Sequence, residues 1–199
     1  MVYYECMLNL NIEKFKSNLA LHHQLYPDLP LQDVMLESLL ERSITDFVEH
    51  NVGSHSIGFD FIIQGHKVSV KSGRFVSKDN RLKFSSHRTT AQKTIEEKIK
   101  FVNDTHYDYQ YNFAKVDDWK KTKQYKLFVF NKQQLDIGGI KFIESDTGWT
   151  GENDKMIVKI MKSLSDQVWF NIDLNNIKPL ETIEFGVPQY DLEWLSNQH

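Results

Sequence analysis

The sequence predicts an α/β fold, a mixed central sheet flanked by helices, and three observations lead there. Residues 57–73 read as two short apolar strands around a tight turn, residues 31–50 repeat apolar side chains at helical spacing, and strand-like runs recur after Tyr125. A chain of 199 residues with 40% hydrophobic and 26% charged content and only 4 prolines suits a single domain over 1–199, with a good-sized core and little disorder.

The hairpin carries the most chemistry. Its turn falls at Gln64-Gly65, and counting outward sets Ile63 against His66, Ile62 against Lys67, Phe61 against Val68 and Asp60 against Ser69. Side chains alternate along a strand, so Ser69 and Lys71 share one face while Val68 and Val70 point to the other. Asp60 then lies roughly 5 Å from Ser69 across the ladder, with Lys71 a diagonal neighbour. Phe59, Phe61, Ile62 and Ile63 surround Asp60 with apolar groups. A charge there is costly unless paired or metal-bound. An acid, a small polar residue and a lysine on one face suit metal-assisted chemistry on a phosphate.

Asp60 followed by Ser69-Val70-Lys71 resembles the core hairpin of the PD-(D/E)XK nuclease superfamily, and of its type II restriction endonucleases in particular. Asp60 matches the first acid and Lys71 the lysine. Phe59 stands where the family often has Pro, and Ser69 stands where it expects a second acid. The resemblance covers about 17 residues and is architectural beyond them. It implies a restriction-endonuclease-like sheet and a Mg²⁺-dependent, sequence-specific endonuclease of double-stranded DNA. It also implies a homodimer on a near-palindromic site and a bacterial or archaeal cytoplasm. Asp60, Ser69 and Lys71 would be catalytic, and Asp60, a helix glutamate and the Val70 carbonyl would hold the metal. A repair nuclease or junction resolvase on this fold, or a DNA-binding module with a decayed site, are the rival readings.

Ser69 brings no charge, so a second carboxylate must come from elsewhere. In the helix expected over residues 31–50, Val34, Leu36, Leu40, Ile44, Phe47 and Val48 form one apolar side. Glu37 points into the middle of that stripe and Glu41 lies at its edge, whereas Arg42, Asp46 and Glu49 take the solvated side. Glu96 is the downstream rival. However, Thr94-Ile-Glu-Glu97 fits a capping box opening a helix to about Val102, and acids in a first turn already have that structural use.

Net charge is −3, which argues against a general nucleic-acid coat. Yet residues 67–100 hold ten basic against three acidic side chains, a local excess of +7 directly after the hairpin. Arg74, Arg81, Lys83, Ser86, His87 and Arg88 are the expected DNA contacts there. The single cysteine, Cys6, fits a reducing compartment, and neither a leader pattern nor a membrane-length apolar stretch is visible. Further expectations are a helix over 12–26, strands over 125–130, 139–143 and 167–174, a helix over 155–164, and a polar loop over 145–154 that is either a surface connection or a reader of base edges through Thr150, Glu152 or Asn153. The tyrosines of 107–111 read as half-buried packing, and His22-His23 as a helix surface.

Overall fold

Asn11 starts the first helix by accepting the Lys14 N–H on its side chain at 2.9 Å, and α1 (Ile12–Leu25) follows with Phe15, Leu19 and Ala20 buried. The computed structural model describes residues 10–31, 33–44, 48–50 and 58–186. The second helix, α2, is shorter than its apolar spacing suggests and spans Asp33–Ser43. Its end is marked by the Ser43 hydroxyl donating back to the Leu39 carbonyl and by an isolated bridge between Ile44 and Leu10. The chain then extends into β1 (Val48–His50) rather than continuing as helix. β-Branched Ile44 and Val48 favour that outcome once a strand partner exists. Asp46, Phe47 and Ile57 lie outside the described residues, as do the side chains of Val34, Val48 and Glu49 and the whole of Cys6.

The strands are β2 (Phe61–Ile63), β3 (His66–Val76), β4 (Arg81–Arg88), β5 (Tyr109–Val116), β6 (Tyr125–Asn131), β7 (Phe142–Ser145), β8 (Gly148–Glu152), β9 (Met156–Met161), β10 (Gln167–Asp173) and β11 (Glu181–Phe185). Helix α3 (Ile95–Asp104) precedes β5, and the single turn α4 (Trp119–Thr122) joins β5 to β6. The sheet order is β11-β6-β5-β3-β4-β10-β9-β8-β7, with β2 and then β1 branching from β3. The β3–β5 pair is parallel, and the other pairings among the described residues are antiparallel. The result is a mixed α/β fold with a large, mostly antiparallel sheet.

Three expected elements are corrected. Residues 155–164 are not a helix but β9 followed by a short 3-10 turn, because Met156, Val158 and Ile160 are buried alternately with Ile157 and Lys159. The supposed loop over 145–154 is mostly a β7–β8 hairpin, and β7 starts at Phe142 rather than Gly139. His22 and His23 are buried, not surface. His22 Nε2 lies 2.9 Å from the Leu29 carbonyl, and His23 Nε2 lies 2.9 Å from the Tyr125 hydroxyl. The capping box at Thr94 is present as expected, with Glu97 returning to the Thr94 N–H.

Two cores share the sheet. Phe15 and Leu19 of α1 and Leu36 and Leu40 of α2 pack on Phe61, Val68, Val70, Tyr111, Phe113 and Leu127. On the opposite face, Val102 of α3 joins Phe75, Phe84, Phe128, Val158, Ile160 and Phe170, so one core spans both the central and the outer strands. The strand β3 supplies both cores through alternate side chains. No described helix is long and apolar enough to cross a membrane.

Lys98 fixes α3 to this second core. It is fully buried, and its ammonium donates to the Thr89 carbonyl at 2.8 Å, the Gln92 carbonyl at 2.6 Å and Asp166 Oδ2 at 2.9 Å. Three donors meet three acceptors, which is what a buried ammonium requires. Lys98→Met keeps the apolar stem but orphans all three acceptors. We expect it to lower unfolding free energy by about 3 kcal/mol, read from urea melts. A loss below about 0.5 kcal/mol would reduce Lys98 to a surface-like contact.

Candidate active site

The Gln64-Gly65 turn has positive φ at both residues, 50° and 80°, so the hairpin closes with the twist that two-residue loops favour. The ladder that follows has the expected register for three pairs, Ile63 against His66, Ile62 against Lys67 and Phe61 against Val68, but it ends there. The expected pair of Asp60 with Ser69 is not formed, because Asp60 turns to the backbone of Val68 and Val70. Just before β2, Gly58 adopts φ +117°, and a Cβ there would lie 3.0 Å from the His106 backbone nitrogen. Only a glycine lets the chain turn so close to the segment after α3.

The strand β3 is served unevenly along its two edges. On one, β5 pairs continuously from Val68 to Phe75. On the other, β2 pairs as far as Val68 and β4 begins only at Gly73. Between them the sheet forks, and the backbone of Val70 faces the opening. Asp60 closes the fork with its side chain. Its own N–H donates to the Val68 carbonyl at 2.8 Å, and its Oδ2 accepts the Val70 N–H at 2.5 Å. The Val70 carbonyl accepts from Lys71 Nζ at 2.9 Å, and that ammonium lies 3.7 Å from Asp60 Oδ2. An acid and a lysine thus replace the missing strand at Val70.

A cavity of about 180 Å³ opens beside them, lined by Leu36, Glu37, Val70, Lys71, Ser72, Ser85, Ser86 and Gln167. Glu37 is half-buried on α2 and reaches this cavity, as its place in the apolar stripe suggested. Glu41 and Glu96 are absent from the lining; Glu96 is exposed in the first turn of α3. Ser69 is 2% exposed and also outside the lining, and in the ladder it lies beside Gln110. Tyr107 and Tyr111 are buried and Tyr109 half-buried, in keeping with packing roles.

β4 pairs with β10 along its whole length, but with β3 only over Arg81–Phe84, so its second half is free of β3. There Ser86 and His87 together oppose Val168, a bulge that re-aims both side chains. Ser86 lines the cavity, and its hydroxyl lies 2.7 Å from His87 Nδ1. Burial, and then the nearby ammonium groups of Lys71 and Lys132, push the His87 pKa down to about 4. The imidazole is therefore neutral near pH 7, set edge-on to Phe101, and is not a cationic phosphate contact. Arg74 is exposed and paired with Asp117 at 3.3 Å, Arg81 is paired with Asp173 at 3.3 Å, and Lys83 and Arg88 are exposed.

Asn112 was not foreseen. It is fully buried, pairs with Lys71 in the ladder and takes the Gln110 side-chain N–H at 3.0 Å. Its own Nδ2 meets no acceptor among the described residues. An unmet buried donor costs about 1–3 kcal/mol, so it marks a place where an oxygen would be welcome. The alternation Tyr109-Gln-Tyr-Asn-Phe113 was the available signal, since it turns two amides toward a face that the neighbouring strands make apolar.

Asp60 and the Val70 carbonyl already hold one cation between them, the Lys71 ammonium, and Glu37 lines the cavity that adjoins them; oxygen donors of this kind suit a hard divalent ion. No group of three or more His, Cys, Asp or Glu side chains gathers anywhere among the described residues, and the fork itself brings only Asp60 and, across the adjoining cavity, Glu37. Comparison with protein-family models, with curated proteins and with solved structures returns no match for this chain.

Two expectations follow from the geometry. Asp60→Ala strands the Val70 N–H and should cost about 1–3 kcal/mol, whereas Asp60→Asn keeps an acceptor and should lose less; equal melts for the two would remove Asp60 from the fork. The neutral His87 contributes stability that is complete above about pH 6.5 and is lost as pH falls toward about 4, where the folded imidazole finally takes a proton. His87→Gln should therefore lose less stability than wild type between pH 7 and pH 4 in urea titrations, and an unchanged slope would contradict this.

Proposed function

We propose that the fork is the active site of a Mg²⁺-dependent, sequence-specific endonuclease of double-stranded DNA, of the type II restriction kind, working as a homodimer in the cytoplasm of a bacterium or archaeon. The observation that carries this reading is the meeting of Asp60 and Lys71 on the two backbone groups of Val70, with Glu37 at the adjoining cavity. A merely structural fork needs one hydrogen-bonding side chain per group.

Asp60, Glu37 and the Val70 carbonyl would hold the ion. Bound there, Mg²⁺ would polarise a phosphate and acidify a water. Lys71, which donates to the Val70 carbonyl, would be placed to orient a water or offset charge on the phosphate once that carbonyl served as a ligand. Leu36 and Val70 supply the apolar wall that keeps the local dielectric low. Ser69, buried beside Gln110, is a packing residue and not a metal ligand in this reading. Two strand cuts require two such sites, which a two-fold dimer supplies most simply.

The experiment is a plasmid digest with and without Mg²⁺. Asp60→Asn should abolish cleavage while leaving DNA binding in place, and Lys71→Ala should lose on the order of 10²–10⁴ in rate. Glu37→Gln should be impaired and partly rescued by high Mg²⁺ or Mn²⁺, with Glu41→Gln and Glu96→Gln close to wild type. Wild-type protein that binds duplex but never cuts it would leave a DNA-binding module with a decayed site. Preference for branched over linear duplex would instead make it a junction resolvase or repair nuclease.

A further inference from the structure

The outer strands bury one face and leave the other open. Val168, Phe170, Val158 and Ile160 point into the second core, while their neighbours Trp169 and Lys159 are exposed. Following the ladders across this outer face, Ser85 on β4 lies beside Trp169 on β10, then Lys159 on β9, Thr150 on β8 and Ile143 on β7. A second row runs from Lys83 to Asn171 and Ile157. Gln167 lies on the same face, two residues from Trp169, with Arg88 as its partner on β4. Because Ser85 and Gln167 also line the cavity, the face runs continuously out of the fork.

Its charge is one-sided. Lys83, Lys159 and Arg88 are exposed cations with no ion-pair partner among the described residues. Of the acids on the face, Asp173 is engaged by Arg81, which leaves Glu152 at the far side. Ladder spacing sets Lys83 and Lys159 about 12 Å apart, close to the width of about 12 Å of a DNA major groove. Between them stands Trp169, a large apolar side chain held 38% exposed, while Ile143, the other strongly exposed apolar group on this face, lies three strands away on the edge strand β7. An indole in that position gives stacking or apolar contact to sugars and base edges.

We propose that duplex DNA lies on the open face of β4, β10, β9 and β8, with Lys83, Arg88 and Lys159 on its phosphates and Trp169 as its aromatic contact. This rests on the nuclease reading of the fork. The occupant is committed by chemistry, since unpaired cations flanking one exposed indole suit a polyanion, whereas a protein partner of this size of patch would need a broader apolar centre.

The test measures binding of a fluorescent duplex by anisotropy, using Asp60→Asn protein to prevent cleavage. Lys83→Glu with Lys159→Glu should weaken binding at least about tenfold and reduce the salt slope by about two. Trp169→Ala should weaken it by about five- to one-hundred-fold. Lys120→Glu with Lys121→Glu on α4, exposed but off this face, should change neither. As a measurement that needs no variant, Lys159 in otherwise unaltered protein should be shielded from amine-reactive label when duplex is added. If the face variants bind like the control and Lys159 stays reactive while wild type cuts DNA, the surface assignment falls and the nuclease reading stands. If wild type neither binds nor cuts duplex, both fall.

Discussion

A single backbone group governs the site. Where β2 and β4 part from β3, Val70 has an N–H and a C=O with no strand to meet them, and a β-sheet does not tolerate that in a half-buried place. Asp60 and Lys71 meet the two groups with charged side chains. Opposite charges are thereby drawn to one point in a low-dielectric setting, where each partly neutralises the other. The fork thus gives two charged residues a reason to be only a quarter exposed. It also opens the sheet wide enough for α2 to present Glu37 to the same space.

The remaining architecture keeps that opening in place. α1 and α2 cover one face of the strands around β3, and α3 covers the other, so neither edge of the fork can drift without disturbing a core. α3 is itself held by Lys98, which ties the segment after β4 to Asp166 just before β10. The same tie holds β4 against β10 beyond Phe84, where its pairing with β3 has ended. A bulge at Ser86 and His87 completes the change of direction, and burial there keeps the imidazole uncharged beside Lys71.

The local chemistry was legible in the chain and the long-range chemistry was not. Gln64-Gly65 announces its turn, so the hairpin register follows from counting, and Thr94 with Glu97 announces a helix start. Glu37 was recognisable as an acid on an apolar stripe even though that helix is seven residues shorter at its C-terminal end than its periodicity suggested. The stretch 155–164 misled because Met, Lys and Leu favour helix while burial on one face of a sheet overrode them. His22 and His23 misled for a related reason, since their partners, the Leu29 carbonyl and the Tyr125 hydroxyl, are supplied by packing. The fork itself has no signature, because a strand that stops pairing looks like one that continues. Asn112 acquires meaning only once parallel pairing brings it beside Lys71.

Parallel pairing and the fork also set the order in which such a site can be built. The hairpin is closed by two residues and forms on contacts near in sequence, which is fast. β4 is fixed on its outer edge only when β10 arrives, and Arg81 and Asp173, which join them, are 92 residues apart. β5 must cross over behind α3 before it can lie alongside β3. Asp60 and Lys71 therefore come together early, while the walls that turn them into a cleft arrive with the last long-range closures. A nascent chain emerging from the ribosome would carry the charged pair well before it carried a site.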